Sequence, residues 1–382
     1  MSTDHEFAAA SSPSGPTPAW QPAKTLADGL AGRNDNFLLL RFIAASMVIY
    51  GHGSAITGGK GFPEVFVNMG WGVYSGTIAV YIFFLVSGFM IAGSYLRRQH
   101  LPDFLWARVL RIFPAFLFCL SVSAFVLGTV FTVVPRWDYL RDPAVVQYVL
   151  QNMKLQTTMA WNLPGVFTGN PHVVTVNGAI WTLPSEFRMY LWVGLAGMLG
   201  ILARRWLCAL VIVTFFGMGI FFPDRDIFMI PTIYLHVAAM FGLGVFCFIY
   251  RDRIPVGWPY VAGTALMAYL LRDTAIYPFV FGAAVAQFCF AFAYCIPWRG
   301  FNRFGDYSYG IYLWGWPMQQ VVAHYFPLIS PIKNALAAFP LALALAIISW
   351  YLVEKPALRL KSVPGKLLVR VKENFLRKGN SG

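Results

Sequence analysis

"LLLRFIAASMVIYGHG", residues Leu38 to Gly53, would read as an ordinary membrane-spanning helix if its arginine and histidine were leucines. An ionisable side chain inside a bilayer is costly even when it snorkels or finds a partner, so its presence marks a functional position by default. Arg41 and His52 are eleven residues apart. At about 100° and 1.5 Å per residue they share one face of a helix and lie roughly 16 Å apart along it. The plainer alternative is that Arg41 snorkels and His52 caps the end of the span, where "GHGSAITGG" becomes a loop.

The rest of the chain has the same character. Its 382 residues are 58% hydrophobic and only 12% charged, with a mean hydropathy of +0.60; soluble domains carry roughly twice that charged fraction. Apolar segments separated by turn or charge signals fall at 36–56, 77–96, 109–134, 184–203, 206–222, 227–249, 258–271, 276–296, 307–326 and 335–353, near the length that crosses a bilayer except for the seventh, which is short and broken by Pro259. The fold class expected is all-α, a polytopic membrane bundle of about ten transmembrane helices.

The net charge of +13 points to orientation rather than to nucleic acid, because Lys and Arg concentrate in cytoplasmic loops. With the N-terminus inside, twenty of the 29 Lys and Arg fall on that side, against Lys60, Arg136, Arg141, Lys154, Arg225, Arg272 and Lys333 on the other. An even number of spans with both termini cytoplasmic follows. The division expected is a disordered cytoplasmic tail over 1–35, rich in Ser, Pro and Ala, a membrane domain over 36–355 with an external loop at 134–183, and a basic cytoplasmic tail over 356–382. The five cysteines lie within apolar runs, without the spacing of a metal site or a disulfide framework. No metal is expected, and no internal repeat favours an inverted-repeat transporter.

Two further stretches could carry chemistry. In "LRRQHLPDFLWARVLRIFP", Arg108 and Arg111 stand at i, i+3 on one helix face at the cytoplasmic mouth of the third span. Paired guanidinium groups suit phosphate, although topology alone also places arginines there. In "WTLPSEFRMY", Glu186 enters the fourth span from outside, level by topology with His52. A carboxylate accepting an imidazole N–H would fix its tautomer and raise its basicity. Otherwise Glu186 is a first-turn acid favoured by the helix dipole, or an ion-pair partner of Arg188.

These pieces resemble a known family. "RFIAASMVIYGH" is similar to the signature of Arg, ten residues and His that marks the Acyltransferase 3 family, bacterial inner-membrane enzymes that O-acylate surface glycans. "FFLVSGFMI", "ARVLRIFP", "LPGVFTGNPHVVTVNGAIWTLPSE", "SYGIYLWGWP" and "YLVEKPALRL" match in order, from about Phe37 to Leu360. One position departs: many members carry a His before the Trp-Pro pair, where this chain has Gly315. The resemblance implies an acyl-CoA donor, normally acetyl-CoA, reached from the cytoplasm. It also implies an acceptor hydroxyl on a glycan or lipid-linked glycan at the outer face, and a place in the inner membrane.

On this reading Arg41, Arg108 and Arg111 lie on the donor side, and His52 with Glu186 on the acceptor side. His52 acts as general base or briefly carries the acyl group, Glu186 orients it, Arg41 stabilises the donor, and Arg108 with Arg111 hold CoA phosphates. Trp137, Trp161 and Trp181 in the loop could stack on sugar rings or anchor at the interface. The competing class is a glycan or lipid flippase, with Arg41 and His52 in a polar pathway that His236 and Gln287 extend.

Overall fold

The computed structural model describes residues 24–32, 35–59, 64–221 and 234–362. Among these the structure is helical, and the β-pairing found is confined to two isolated bridges, Thr25 with Pro255 and Thr132 with Val166. The principal helices are α1 (Leu26–Ala31), α2 (Phe37–Thr57), α3 (Ser75–Arg98), α4 (Leu101–Val122), α5 (Pro143–Met153), α6 (Leu183–Met198), α7 (Arg205–Phe221), α8 (Leu235–Ile249), α9 (Trp258–Leu270), α10 (Tyr277–Cys295), α11 (Ser308–Tyr325) and α12 (Pro331–Ser349). Among the described residues, five stretches are long and apolar enough to cross a membrane: Phe37–Thr57, Ser75–Arg98, Leu101–Phe131, Tyr277–Cys295 and Pro331–Arg359.

The centre of the bundle is α11, whose residues from Ser308 to Gln320 are all buried. A helix covered on every side needs partners all round, and α2, α12 and α4 supply them. Gly315 is part of that fit: a Cβ there would stand 2.7 Å from Ile49 Cγ1, so a histidine at this position would collide with α2 as it is placed.

Glycine also sets how α2 and α3 are gripped. Flanking His52, Gly51 faces the backbone of Gly76 and Gly53 the carbonyl of Pro331, so close that an added Cβ would stand 2.8 and 2.7 Å from them respectively. The "GHG" triplet is therefore a place where two helix starts close on α2. Between α3 and α8 the approach is reciprocal, since a Cβ on Gly88 would run into the Phe241 carbonyl and one on Gly244 into the Leu85 carbonyl. Small residues let helix backbones meet in this way, which replaces the hydrophobic driving force missing within lipid. Gly244→Ala is accordingly expected to destabilise the protein by about 2 kcal/mol or more. Thermal unfolding of purified protein in detergent checks this, and an unchanged midpoint would refute the packing account.

Residues 24–32 lie within the segment that composition assigns to a disordered tail, yet they are ordered. Thr25 and Asp28 form a reciprocal capping box on α1, Leu26 is fully buried, and the backbone bonds to Ile254 and Arg251. The rest of that tail, 1–23 and 33–34, lies outside the described residues, as does 363–382 of the basic tail. Residues 355–362 are helical, with the Trp106 indole donating to the Leu360 carbonyl at 3.0 Å.

Segment 134–183 is strapped onto the bundle. After α4, the chain continues through a π-turn at Ser123–Leu127, and the carbonyl of Ala124 accepts from the Tyr139 hydroxyl at 2.6 Å. Side chains of α11 hold the far part: Trp316 Nε1 donates to Thr175 O and Gln320 Nε2 to the carbonyls of Val173 and Thr175, while Asn177 Nδ2 of the loop donates to Leu313 O. The loop thus closes one end of the central helix.

Candidate active site

Arg41 and Arg111 meet on one carboxylate. Asp306 Oδ2 lies 2.7 Å from Arg41 Nη1 and 2.5 Å from Arg111 Nη2, while its Oδ1 accepts from Ser308 Oγ at 2.5 Å. Three helices, α2, α4 and α11, are tied by this one acid just ahead of α11. Burial would raise the Asp306 pKa, but Arg111 and Arg41, with help from Ser308, hold it well below the usual carboxylate range. Arg111 has a second acid on its other edge: Glu354 Oε2 is 3.5 Å from Nη1. Glu354 is almost wholly buried, closes a π-turn at Trp350–Glu354, and accepts from Ser349 Oγ at 3.2 Å.

Arg108, one turn earlier on α4, differs. Its guanidinium lies 5.8 Å from the centre of the Phe104 ring, its Nε is buried without a hydrogen-bond partner, and Tyr190 and Glu186 are within electrostatic reach. Glu186 itself accepts from the Tyr190 hydroxyl one turn along α6, and Ser87 Oγ is 3.5 Å from the same carboxylate and 3.0 Å from the Tyr190 oxygen.

The structure does not bring Glu186 to His52, and among the described residues no hydrogen bond joins them. Gly51, beside His52, packs on Gly76 of α3, whereas Glu186 stands by Ser87, eleven residues further along α3, or about 16 Å. Arg41 lies back from His52 by the same interval on antiparallel α2, and its guanidinium is 6.0 Å from the Phe83 ring. Glu186 therefore shares the depth of Arg41. The cause is local: Thr182, Leu183, Pro184 and Ser185 are all buried, so α6 begins inside the protein rather than at its surface.

His52 occupies the loop-covered end. Its ring meets Trp316 edge to face, with centroids 4.9 Å apart, and Gly178 leaves room for the other part of that indole. The imidazole Nδ1 is buried and has no hydrogen-bond partner among protein atoms. Around it Gln319, Asn334, Gln320 and Asn170 bond to one another and to backbone carbonyls. These side chains help hold α11, α12 and the loop together, and like His52 Nδ1 the amide oxygens Gln319 Oε1 and Asn170 Oδ1 are buried without a hydrogen-bond partner among protein atoms.

Of the three loop tryptophans, Trp137 is 73% exposed. Trp181 is already stacked on Tyr234, centroids 5.2 Å apart, and Trp161 is packed against the core. His236 lies against the rings of Tyr81 and Trp181, apart from the Arg41–Asp306–Arg111 cluster. All five cysteines are buried free thiols. Among the described residues no group of three His, Cys, Asp or Glu could hold a metal ion.

Asp306, Glu354, Tyr190 and Ser87 do not stand out in the sequence as members of a site. Asp306 and Glu354 leave one usable signal there, an acid at the edge of an apolar run in a chain with only 16 Asp and Glu.

A family profile described as an acyltransferase domain matches residues 34–354. The chain is 27% identical to nodulation protein 10 of Rhizobium leguminosarum bv. viciae, over 87% of this chain and 95% of that protein. It is 28% identical to an O-acetyl transferase of Shigella phage Sf6, over 85% of this chain and 96% of that one. No solved structure matches it.

Proposed function

This chain belongs to the acyltransferase domain family, and on that premise we propose that it is a membrane O-acetyltransferase. It takes an acetyl group from cytoplasmic acetyl-CoA and places it on a hydroxyl of an extracytoplasmic glycan, such as exopolysaccharide, O-antigen or a lipo-oligosaccharide. The relative named O-acetyl transferase supports the acyl group. The observation that carries the reading is His52: a buried imidazole nitrogen lacking a protein partner, at the opposite end of one helix from a cluster of arginines. A buried polar atom left unpaired calls for a partner from elsewhere, and for an imidazole nitrogen an acceptor hydroxyl is the partner general-base chemistry requires.

In this reading ten helices, α2 to α4 and α6 to α12, cross the bacterial inner membrane with both termini cytoplasmic. The arginine end faces the cytoplasm and the loop-covered end faces out. CoA carries several negative charges and stays on the arginine side; only its thioester reaches toward His52. Arg108 and Arg111 receive the phosphates, and Arg41, which shares the Asp306 carboxylate oxygen with Arg111, adds its positive charge to the same donor site. Glu186 acts with Tyr190 and Ser87 at the level of Arg41, countering Arg108. Either His52 removes the proton from the acceptor hydroxyl, which attacks the thioester carbonyl and expels CoA as the thiolate, or the imidazole attacks the thioester first, CoA leaves, and the hydroxyl then takes the acyl group from the imidazole.

Mild alkali releases O-linked acetate, so acetate freed from surface glycans with and without this gene tests the reading. No difference in any surface or secreted glycan would favour the flippase class. Radiolabelled acetyl-CoA supplied without acceptor separates the two chemical routes, and absence of protein-bound label at full activity excludes the acyl-histidine. Arg108→Ala is expected to raise the KM for acetyl-CoA about tenfold with a smaller change in kcat. An unchanged KM would return Arg108 to a topological role.

A further inference from the structure

Arg111 is held unequally on its two edges. One edge makes a 2.5 Å contact with Asp306, and the other faces Glu354 across 3.5 Å. Glu354 Oε2 has no hydrogen-bond partner although it is buried, and it reaches this position because the helix widens into a π-turn at Trp350–Glu354, a departure that often marks functional positions. Removing a carboxylate from water is compensated only by a close, well-bonded partner, and the longer contact supplies that incompletely. The tight edge anchors the guanidinium; the loose edge is the one an arriving anion can take.

We propose that Glu354 is an internal stand-in for the donor's phosphate, a carboxylate that occupies the loose edge of Arg111 and is exchanged for the phosphate when CoA binds. This rests on the reading of Arg111 as a donor ligand. Binding then separates Glu354 from its cation, and that cost is subtracted from CoA affinity. Glu354 is a positioning residue that keeps Arg111 oriented and limits how tightly donor and product are held. A release step benefits from that limit, because CoA and acetyl-CoA carry the same phosphates.

The probe is CoA itself, titrated calorimetrically into the full-length protein in nanodiscs. Glu354→Gln removes the charge and keeps the shape, and is expected to tighten CoA binding about fivefold; Glu354→Met is a second version of the same removal. A merely structural role for Glu354 predicts weaker binding or none of this gain. Arg111→Ala distinguishes the premise from the inference. If it leaves CoA affinity unchanged, Arg111 is no donor ligand and both fall. If it weakens binding while neither Glu354 variant tightens it, the donor site stands and the stand-in is overturned. Failure of both Glu354 variants to fold would show that the carboxylate is an architectural requirement, not an exchangeable counter-ion, and would overturn it too.

Discussion

His52→Ala is expected to lower acetyl transfer by about a thousandfold, the range lost with a general base, while leaving fold and insertion intact. The two halves of this expectation come from different parts of the structure. The imidazole makes no hydrogen bond that the fold needs, since its Nδ1 has no protein partner and the bonds closing this end of the bundle run through Gln319, Gln320, Asn334 and Trp316. Alanine is also the better helix former, and the grip on α2 comes from Gly51 and Gly53, not from the residue between them. Turnover with purified protein, alongside thermal unfolding, reads both. Near-normal turnover would remove His52 from the chemistry. A collapse in stability would show the ring to be a packing element against Trp316, and the loss of activity would then say nothing about a base.

How much of the site is legible in the sequence depends on what a single helix can encode. Arg41 and His52 lie on one continuous helix, so their spacing alone places them on a common face, and Arg108 with Arg111 follow the same rule on α4. Contacts between helices carry no such record. Asp306 is 265 positions from Arg41 and 195 from Arg111, and in "FNRFGDYSYG" it looks like any loop acid before a span. Glu354, beside Lys355 and Pro356, looks like the charged border of the last helix; only the π-turn directs it inward. The depth of Glu186 escapes the sequence for another reason. A span is expected to start at the membrane surface, whereas the loop from Val176 onward descends into the protein before α6 begins. The polar loop sequence records that it packs, not how deep it goes.

Asp306→Asn is expected to damage both stability and catalysis. Arg41, Arg111 and Asp306 have side-chain exposures of 23%, 16% and 17%, so solvent screens them only partly. Two guanidinium groups that share one carboxylate oxygen are brought close to each other, and neutralising the acid leaves their repulsion opposed only by Glu354 on one of them. Losing one partner of a buried pair costs roughly 3–5 kcal/mol; with this residual exposure about 2–3 kcal/mol is the expected loss, seen as a lower unfolding midpoint. Because the native pKa of Asp306 is depressed, its contribution is complete at neutral pH and fades as pH falls below about 4, where the unfolded carboxylate takes up a proton. The wild type should therefore lose stability below that pH more steeply than the variant. Catalysis should fall about a hundredfold, with KM for acetyl-CoA and kcat both affected, since Arg111 and Arg41 are displaced from the donor in one change. Asp306→Glu, which keeps the charge, should recover part of the activity. Recovery separates a charge that positions two arginines from a side chain that merely fills space, and a glutamate variant no better than asparagine would show that the carboxylate's charge is not what holds the site.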